Sequence, residues 1–273
     1  ASAEAAPLAS GHSIDLRGRD LILITVDALR ADHVGAYGYA RKTTPNLDRL
    51  AESGVVFDAA YSPTPHTSYA VTSLMTGKYM RPLVLQGMGA DSETWAEHLR
   101  RYGFRTAGFY PPAIFFIDAE RFEHFRDHGL DFEYRKVEFA PATARAAQVE
   151  AYLRTVPADR RVFLWVHLFE PHEPYEAHPE FPFGDRDVDR YDAEIAAADA
   201  GIGAVLAAVR AVRPQAAAIV TADHGEEFSE HGGRYHGTTV YEEQVRVPLV
   251  IDAPELFQPH RVAAPVELVD LLP

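Results

Sequence analysis

Four short runs, Leu21–Val26, Arg161–Leu168, Ala216–Thr221 and Val247–Ile251, are almost wholly apolar yet too brief for globular helices. Runs of this kind suit strands buried on both faces, because a half-exposed strand would alternate apolar and polar side chains. Helical spacing fills the gaps between them. Thr44, as N-cap, and Pro45 open a helix through Leu47, Leu50 and Ala51 that stops at Gly54; Trp95, Leu99 and Tyr102 line one face ahead of Gly103. Residues 143–156 have helical composition, and Ile195, Ile202, Val205 and Leu206 mark a helix over 189–212. Val55–Phe57 and Thr106–Tyr110 add short strands. Strand and helix in alternation predict an α/β fold, a mostly parallel central sheet with helices on both faces.

Such a fold concentrates chemistry at one edge. In open parallel sheets ligands bind beyond the carboxyl ends of the strands. Polar residues stand there: Asp27 after the first run, Glu170-Pro171-His172 after the second, Asp223-His224 after the third. Thr67 is placed at the start of a helix over 68–75, where unpaired N–H groups and the helix dipole favour an anion. Each residue alone has an ordinary explanation, since Asp forms turns and caps, a buried His satisfies a hydrogen bond, and Thr caps helices. Together Asp27, Asp223, His224 and the Thr67 hydroxyl make a donor set for one divalent cation. A cation there would acidify a bound hydroxyl, as zinc takes water from a pKa of about 15.7 to about 7, and would offset charge on a transferring group. Two carboxylates, one imidazole and a hydroxyl favour Zn or Mn, while Ca or Mg prefer more oxygen.

Composition bounds the alternatives. The chain has 273 residues, 47% apolar and 24% charged, which describes one large packed domain rather than disorder. A net charge of −14 argues against nucleic acid as a partner. The absence of cysteine excludes disulfides and thiolate metal sites. Residues 1–18 start without Met and read as a linker or processed N-terminus; residues 19–273 read as the catalytic domain. Val266–Pro273 stops inside an apolar stretch with no cap, as expected of a domain truncated at its C-terminus. No apolar run approaches the roughly 20 residues of a membrane span, so a membrane tether is expected only beyond these residues.

Several separated motifs, in order, carry a resemblance. Leu21–His33, Gly38, Thr44–Asp48, Gly54–Phe57 and Ala60–Pro63 resemble the N-terminal half of sulfatase-like members of the alkaline phosphatase superfamily. So do Thr221–Gly232, Tyr241–Glu243 and Arg246–Pro248. The segment Thr67–Gly77 has the frame of the sulfatase signature, Cys-x-Pro-Ser-Arg followed by Thr-Gly, in which the Cys becomes formylglycine. Anchored on Thr76-Gly77, that frame puts Thr67 at the nucleophile position and Tyr69, Ala70 and Val71 in place of Pro, Ser and Arg. The resemblance implies Asp27 as the first metal-binding Asp and Asp223-His224 as the second metal motif. It implies His172 as a substrate-contacting histidine, and His236 stands where phosphoethanolamine transferases carry a similar one. Two departures matter: Ala28 replaces the second Asp of many sulfatases, and Val71 replaces the sulfate-binding Arg, a charge-assisted contact worth about 1.5–3 kcal/mol.

A Thr nucleophile resembles the phosphoethanolamine and phosphoglycerol transferases and the nucleotide pyrophosphatase/phosphodiesterases. The expectation is therefore a metal-dependent hydrolase or transferase of phosphate esters. Thr67 attacks, a phosphothreonine forms, and His172 and His236 hold phosphoryl oxygens or protonate the leaving group. The expected substrate is a small-molecule or lipid-headgroup phosphate ester, met in the periplasm or cell envelope. The nearer alternative is a sulfuric ester or phosphonate hydrolase that tolerates Thr. The further one is a non-catalytic binding or sensor domain, motivated by Tyr69-Ala70-Val71. His231 is expected to approach the metal through the Gly232-Gly233 turn, His66 to be a loop residue beside the nucleophile, and Asp192 and Asp199 to face solvent or support packing. A second metal is not expected.

Overall fold

The computed structural model describes residues 18–80, 92–116, 120 and 122–272; the linker reading of residues 1–17 falls outside them. In chain order the strands are β1 (Leu21–Val26), β2 (Val55–Phe57), β3 (Ala60–Tyr61), β4 (Arg105–Tyr110), β5 (Tyr134–Val137), β6 (Val162–Leu168) and β7 (Ala217–Ala222). There follow β8 (Glu227–Phe228), β9 (Arg234–Tyr235), β10 (Arg246–Val247), β11 (Leu249–Asp252), β12 (His260–Val262) and β13 (Val266–Glu267). The helices are α1 (Pro45–Ser53), α2 (Thr67–Thr76), α3 (Trp95–Arg101), α4 (Glu123–His128), α5 (Ala142–Leu153), α6 (Asp187–Val212) and α7 (Glu242–Val245).

Eight strands form the central sheet in the order β12-β2-β11-β7-β1-β6-β4-β5. Every neighbouring pair is parallel except those made by β11, which runs against both β2 and β7. β1 therefore lies in the middle, between β7 and β6. Every residue of β6 is buried, as a strand covered on both faces must be. The mostly parallel α/β sheet expected from the alternation is the one found.

Two local readings change. The strand expected over 247–251 is split, because Pro248 has no N–H to give a ladder. Val247 ends β10 against β3, Leu249 starts β11, and the Pro248 carbonyl accepts the Thr221 hydroxyl at 2.7 Å. α1 begins at Pro45, but the Thr44 side chain does not cap it. The N–H groups of Asn46 and Leu47 are taken instead by the Asp199 carboxylate of α6, at 2.9 and 2.8 Å. Asp199 is thus a packing residue and not a solvent-facing one, and buried Asp192 likewise bonds His33, Tyr39 and Arg41.

The expectation that no stretch could span a bilayer also needs correction: α6 is long and apolar enough by length and composition alone. Half of its apolar stretch is buried in the fold, and over the whole helix Asp189, Asp192, Glu194 and Asp199 are buried too. Its apolar side serves the protein core.

α2 starts at Thr67, one residue earlier than expected, with His66 at the N-cap. It ends at Gly77, which is left-handed at φ 64; a Cβ there would also stand 2.2 Å from the Leu272 carbonyl oxygen. Glycine meets both demands. Beneath the sheet edge, Phe132 stacks on Phe163 and Trp165 with ring centroids 5.6 and 5.8 Å apart, giving the strand ends a packed base.

Candidate active site

β1, β6 and β7 end at the same edge, and their register decides which side chains share a face. Thr25 pairs with His167 on one side and Thr221 on the other. Side chains alternate along a strand, so Trp165 shares the face of His167, and Asp27 and Asp223, two residues beyond Thr25 and Thr221, follow on the same side. Asp27 is held at the strand end by its N–H, which donates to the Leu168 carbonyl at 2.9 Å. α2 brings Thr67 to the same place.

The result is a dry cluster. Asp223 and His224 are fully buried, Asp27 is 2% exposed and Thr67 8%. Donor atoms of Asp27, Asp223 and His224 all lie within 4.8 Å of one another. His224 Nε2 is 3.5 Å from Asp27 Oδ1, 3.5 Å from Asp223 Oδ2 and 3.0 Å from Thr67 Oγ1. Each carboxylate has one oxygen engaged. Asp223 Oδ1 accepts the N–H groups of Ala28 and His224, at 3.2 and 2.9 Å, and Asp27 Oδ2 faces His167 Nε2 at 3.4 Å. The remaining oxygens, Asp27 Oδ1 and Asp223 Oδ2, are buried without a hydrogen-bond partner among the described residues. These are the two that face His224 Nε2.

Burial pushes the Asp27 carboxyl up, but the imidazoles of His172, His167 and His224 outweigh it and hold Asp27 below its ordinary range. Burial and the Asp27 charge together push Asp223 well above its range. Burial, helped by His236, holds His224 well below its ordinary value. His224 is therefore neutral and a poor proton acceptor. Its Nδ1–H donates to the Gly225 carbonyl at 2.9 Å, which leaves the Nε2 lone pair for the Thr67 hydroxyl or for a metal. Two orphaned carboxylate oxygens and one imidazole lone pair in a dry site fit a divalent cation, which would offset the charge that burial otherwise resists.

A second group stands above the first, on loops. His172 donates Nδ1–H to the Glu173 carbonyl at 2.7 Å and stacks on Phe169. The His236 ring lies 4.3 Å from that of His224 and 4.9 Å from that of His172. His236 Nδ1 donates to buried Glu226 at 3.1 Å, and Tyr175 donates to the other Glu226 oxygen at 2.9 Å. Burial opposes a charge on His236, but the Glu226 hydrogen bond and charge outweigh it and raise the imidazole above its ordinary value.

His231 does not join either group. Its Nδ1 lies 2.5 Å from Glu243 and its ring stacks on Tyr241. Glu227, His231 and Glu243 are close enough to hold an ion. The Glu227 carboxylate, however, already accepts the His231 and Gly233 N–H groups and the Gln244 amide. This knot folds the loop that carries His236. Gly225 lets the loop close, since a Cβ there would meet the Glu243 carbonyl at 2.2 Å.

Residues 19–273 match the family model described as Sulfatase. The chain belongs to the sulfatase family. It is 26% identical to arylsulfatase A of Bos taurus over 322 residues, covering 93% of this chain and 63% of that protein, so it spans less than two thirds of that relative. Among solved structures, the C-terminal periplasmic domain of EcEptC from Escherichia coli in complex with Zn superposes with a TM-score of 0.74 at 17% identity, covering 93% of this chain and 80% of that one. A protein described as in the alkaline phosphatase superfamily, from Vibrio parahaemolyticus, superposes with a TM-score of 0.71 at 19% identity over 93% of this chain and 64% of its own. At those identities the likeness is one of fold.

In this sulfatase-family chain the structure brings together all six residues singled out from the sequence: Asp27, Thr67, Asp223 and His224 in the dry cluster, His172 and His236 above it. Two neighbours were missed. His167 had a signal, an ionisable side chain inside an otherwise apolar buried run. Glu226 had a weaker one, because in the Glu226-Glu227 pair only the fold decides which carboxylate meets His236.

Proposed function

We propose that the chain hydrolyses or transfers phosphate esters through Thr67, with Asp27, Thr67, Asp223 and His224 holding one divalent cation, Zn or Mn ahead of Ca or Mg. The observation that carries this is the convergence of the Thr67 hydroxyl, the His224 lone pair and two unpartnered carboxylate oxygens in one buried place. A bound cation would acidify the hydroxyl and offset charge on the phosphoryl group.

The chain's own residues do the rest. Thr67 is the first residue of α2, so the helix N-terminus faces the anionic substrate. Thr67 enters as the alkoxide that such acidification would leave, its proton having gone to solvent, and its oxygen forms a bond to phosphorus as the bond from phosphorus to the alcohol oxygen breaks. The leaving oxygen takes a proton from an imidazole, and His236 suits this role because Glu226 favours its protonated form. Water or an acceptor hydroxyl then attacks the phosphothreonine, returns a proton to the same imidazole and frees Thr67. His172 holds a phosphoryl oxygen. Val71, at the place of the sulfate-binding Arg, is fully buried and offers no charge. That favours phosphate over sulfate. A small-molecule or lipid-headgroup ester and an extracytoplasmic setting belong to the same proposal.

The test is a panel of aryl phosphate monoester, phosphate diester and aryl sulfate, turned over by the zinc-loaded protein and by Thr67→Ala. Phosphate turnover that Thr67→Ala abolishes, with phosphorylated Thr67 seen by mass spectrometry, is the expected result. Undiminished turnover by Thr67→Ala, or faster turnover of sulfate than of either phosphate, would sink the reading.

A further inference from the structure

We infer that His167 is a positioning residue that aims Asp27, with Thr25 and Trp165 fixing the orientation of its ring. The inference rests on reading Asp27 as a metal ligand.

The four groups form an unbroken buried chain. Trp165 Nε1 lies 2.9 Å from Thr25 Oγ1, Thr25 Oγ1 lies 2.7 Å from His167 Nδ1, and His167 Nε2 lies 3.4 Å from Asp27 Oδ2. Side-chain chemistry sets the direction of each bond. An indole N–H can only donate, so Thr25 accepts from Trp165. A carboxylate can only accept, so the His167 proton toward Asp27 sits on Nε2. With that proton on Nε2, Nδ1 is the bare nitrogen and takes the Thr25 O–H. Each proton in the chain is used once, and all bonds run from Trp165 to Asp27.

The consequence falls on which Asp27 oxygen is left over. Oδ2 is engaged by His167, while Oδ1, without a hydrogen-bond partner among the described residues, is the oxygen facing His224 Nε2 at 3.5 Å. Asp223 reaches the same condition by other means, because two backbone N–H groups hold its Oδ1. Both carboxylates thus present a single oxygen to the cation. Carboxylates that bind metals are commonly held by such outer hydrogen bonds, and losing one costs about 10–100-fold in metal affinity or activity. The competing account is a histidine that merely fills the core between β1 and β6. It predicts lower stability with unchanged metal affinity.

The experiment measures Zn²⁺ affinity by competition with a chromophoric chelator for the wild type, His167→Leu, His167→Gln and Thr25→Val, with melting of each metal-free protein alongside. The wild type is expected to bind zinc and His167→Leu to bind it about 10–100-fold more weakly. His167→Gln, whose amide N–H can reach toward Asp27, should recover part of the loss, and the near-isosteric Thr25→Val should fall between wild type and Leu. Zinc affinity unchanged in His167→Leu and Thr25→Val, with only melting affected, would overturn the inference. Should His167→Leu fail to fold, the affinity of Thr25→Val decides. A wild type that binds no zinc would instead overturn the metal reading itself, a distinct result.

Discussion

The dry cluster and the loop histidines above it do adjacent work under opposite rules. Asp27, Asp223 and His224 follow directly on central strands, Thr67 opens a helix, and none is more than 8% exposed. In such a place an unbalanced charge is costly, so the carboxylates are pushed apart in their proton affinity and the imidazole is held neutral. His172 and His236 sit on connecting loops and stay partly open, with side chains 21% and 13% exposed. There the Glu226 carboxylate raises the His236 imidazole, although burial raises Glu226 itself as well. On the proposed function, the contrast separates a buried part that would prepare a nucleophile from a partly open part that would manage protons.

The largest effect should come from the buried part. Thr67→Ala is expected to lower turnover of an aryl phosphate by about 10⁴-fold or more, as loss of a nucleophile does elsewhere, with zinc bound more weakly but still held by Asp27, Asp223 and His224 in a chelator competition. Retained turnover would erase the distinction. His236→Gln should cost about 10²–10⁴-fold in kcat, the range of general acid–base catalysis. A proton donor acts in its protonated form, so wild-type activity should fall as pH rises through the raised His236 value, and this alkaline limb should flatten in the variant.

Asp223→Asn should separate function from stability. The folded-state value of Asp223 lies above its unfolded one, so its ionisation disfavours the metal-free fold as pH rises past the ordinary carboxylate range. At pH 7 the metal-free variant should melt higher, by about 2–4 °C for each kcal/mol relieved, while zinc binding is lost. A lower melting temperature would show that the buried carboxylates do not strain the fold. Glu226→Gln should act on the loops alone, moving the alkaline limb to lower pH by removing the charge that raises His236, with zinc affinity unchanged. The smallest effect belongs far from both groups. Asp199→Ala removes the cap of α1 and should cost about 0.5–2 kcal/mol in denaturant melts without altering kcat.

What the sequence revealed follows the same division. β1, β6 and β7 are continuous apolar runs, and a residue just past such a run lands at the ligand-binding edge whatever the rest of the chain does. That is why Asp27 and Asp223 could be read without coordinates. His167 could not, because its partner depends on the register of β1 against β6, which pairs Thr25 with His167. The α1 cap was misassigned to Thr44 for a similar reason, since a nearby sequence signal was outdone by a carboxylate 153 residues away. Pro248 is a readable break that the single-strand reading of 247–251 passes over, and only the ladders show that β11 turns back against β7 and β2.

The central place of β1 also sets a timetable. Thr25 meets His167 across 142 residues of chain, and Ala28 meets Asp223 across 195. At about 5–20 residues per second of synthesis, Asp27 waits about 10–40 s for its partner carboxylate to be made. β1 has neither neighbour until β6 is made and only that one until β7 follows, and it is guarded at its start by the charged Arg19 and Asp20. A cation gripped by both carboxylates can reward only the finished sheet, so it would act as a lock on completed molecules and give nothing to the nascent ones.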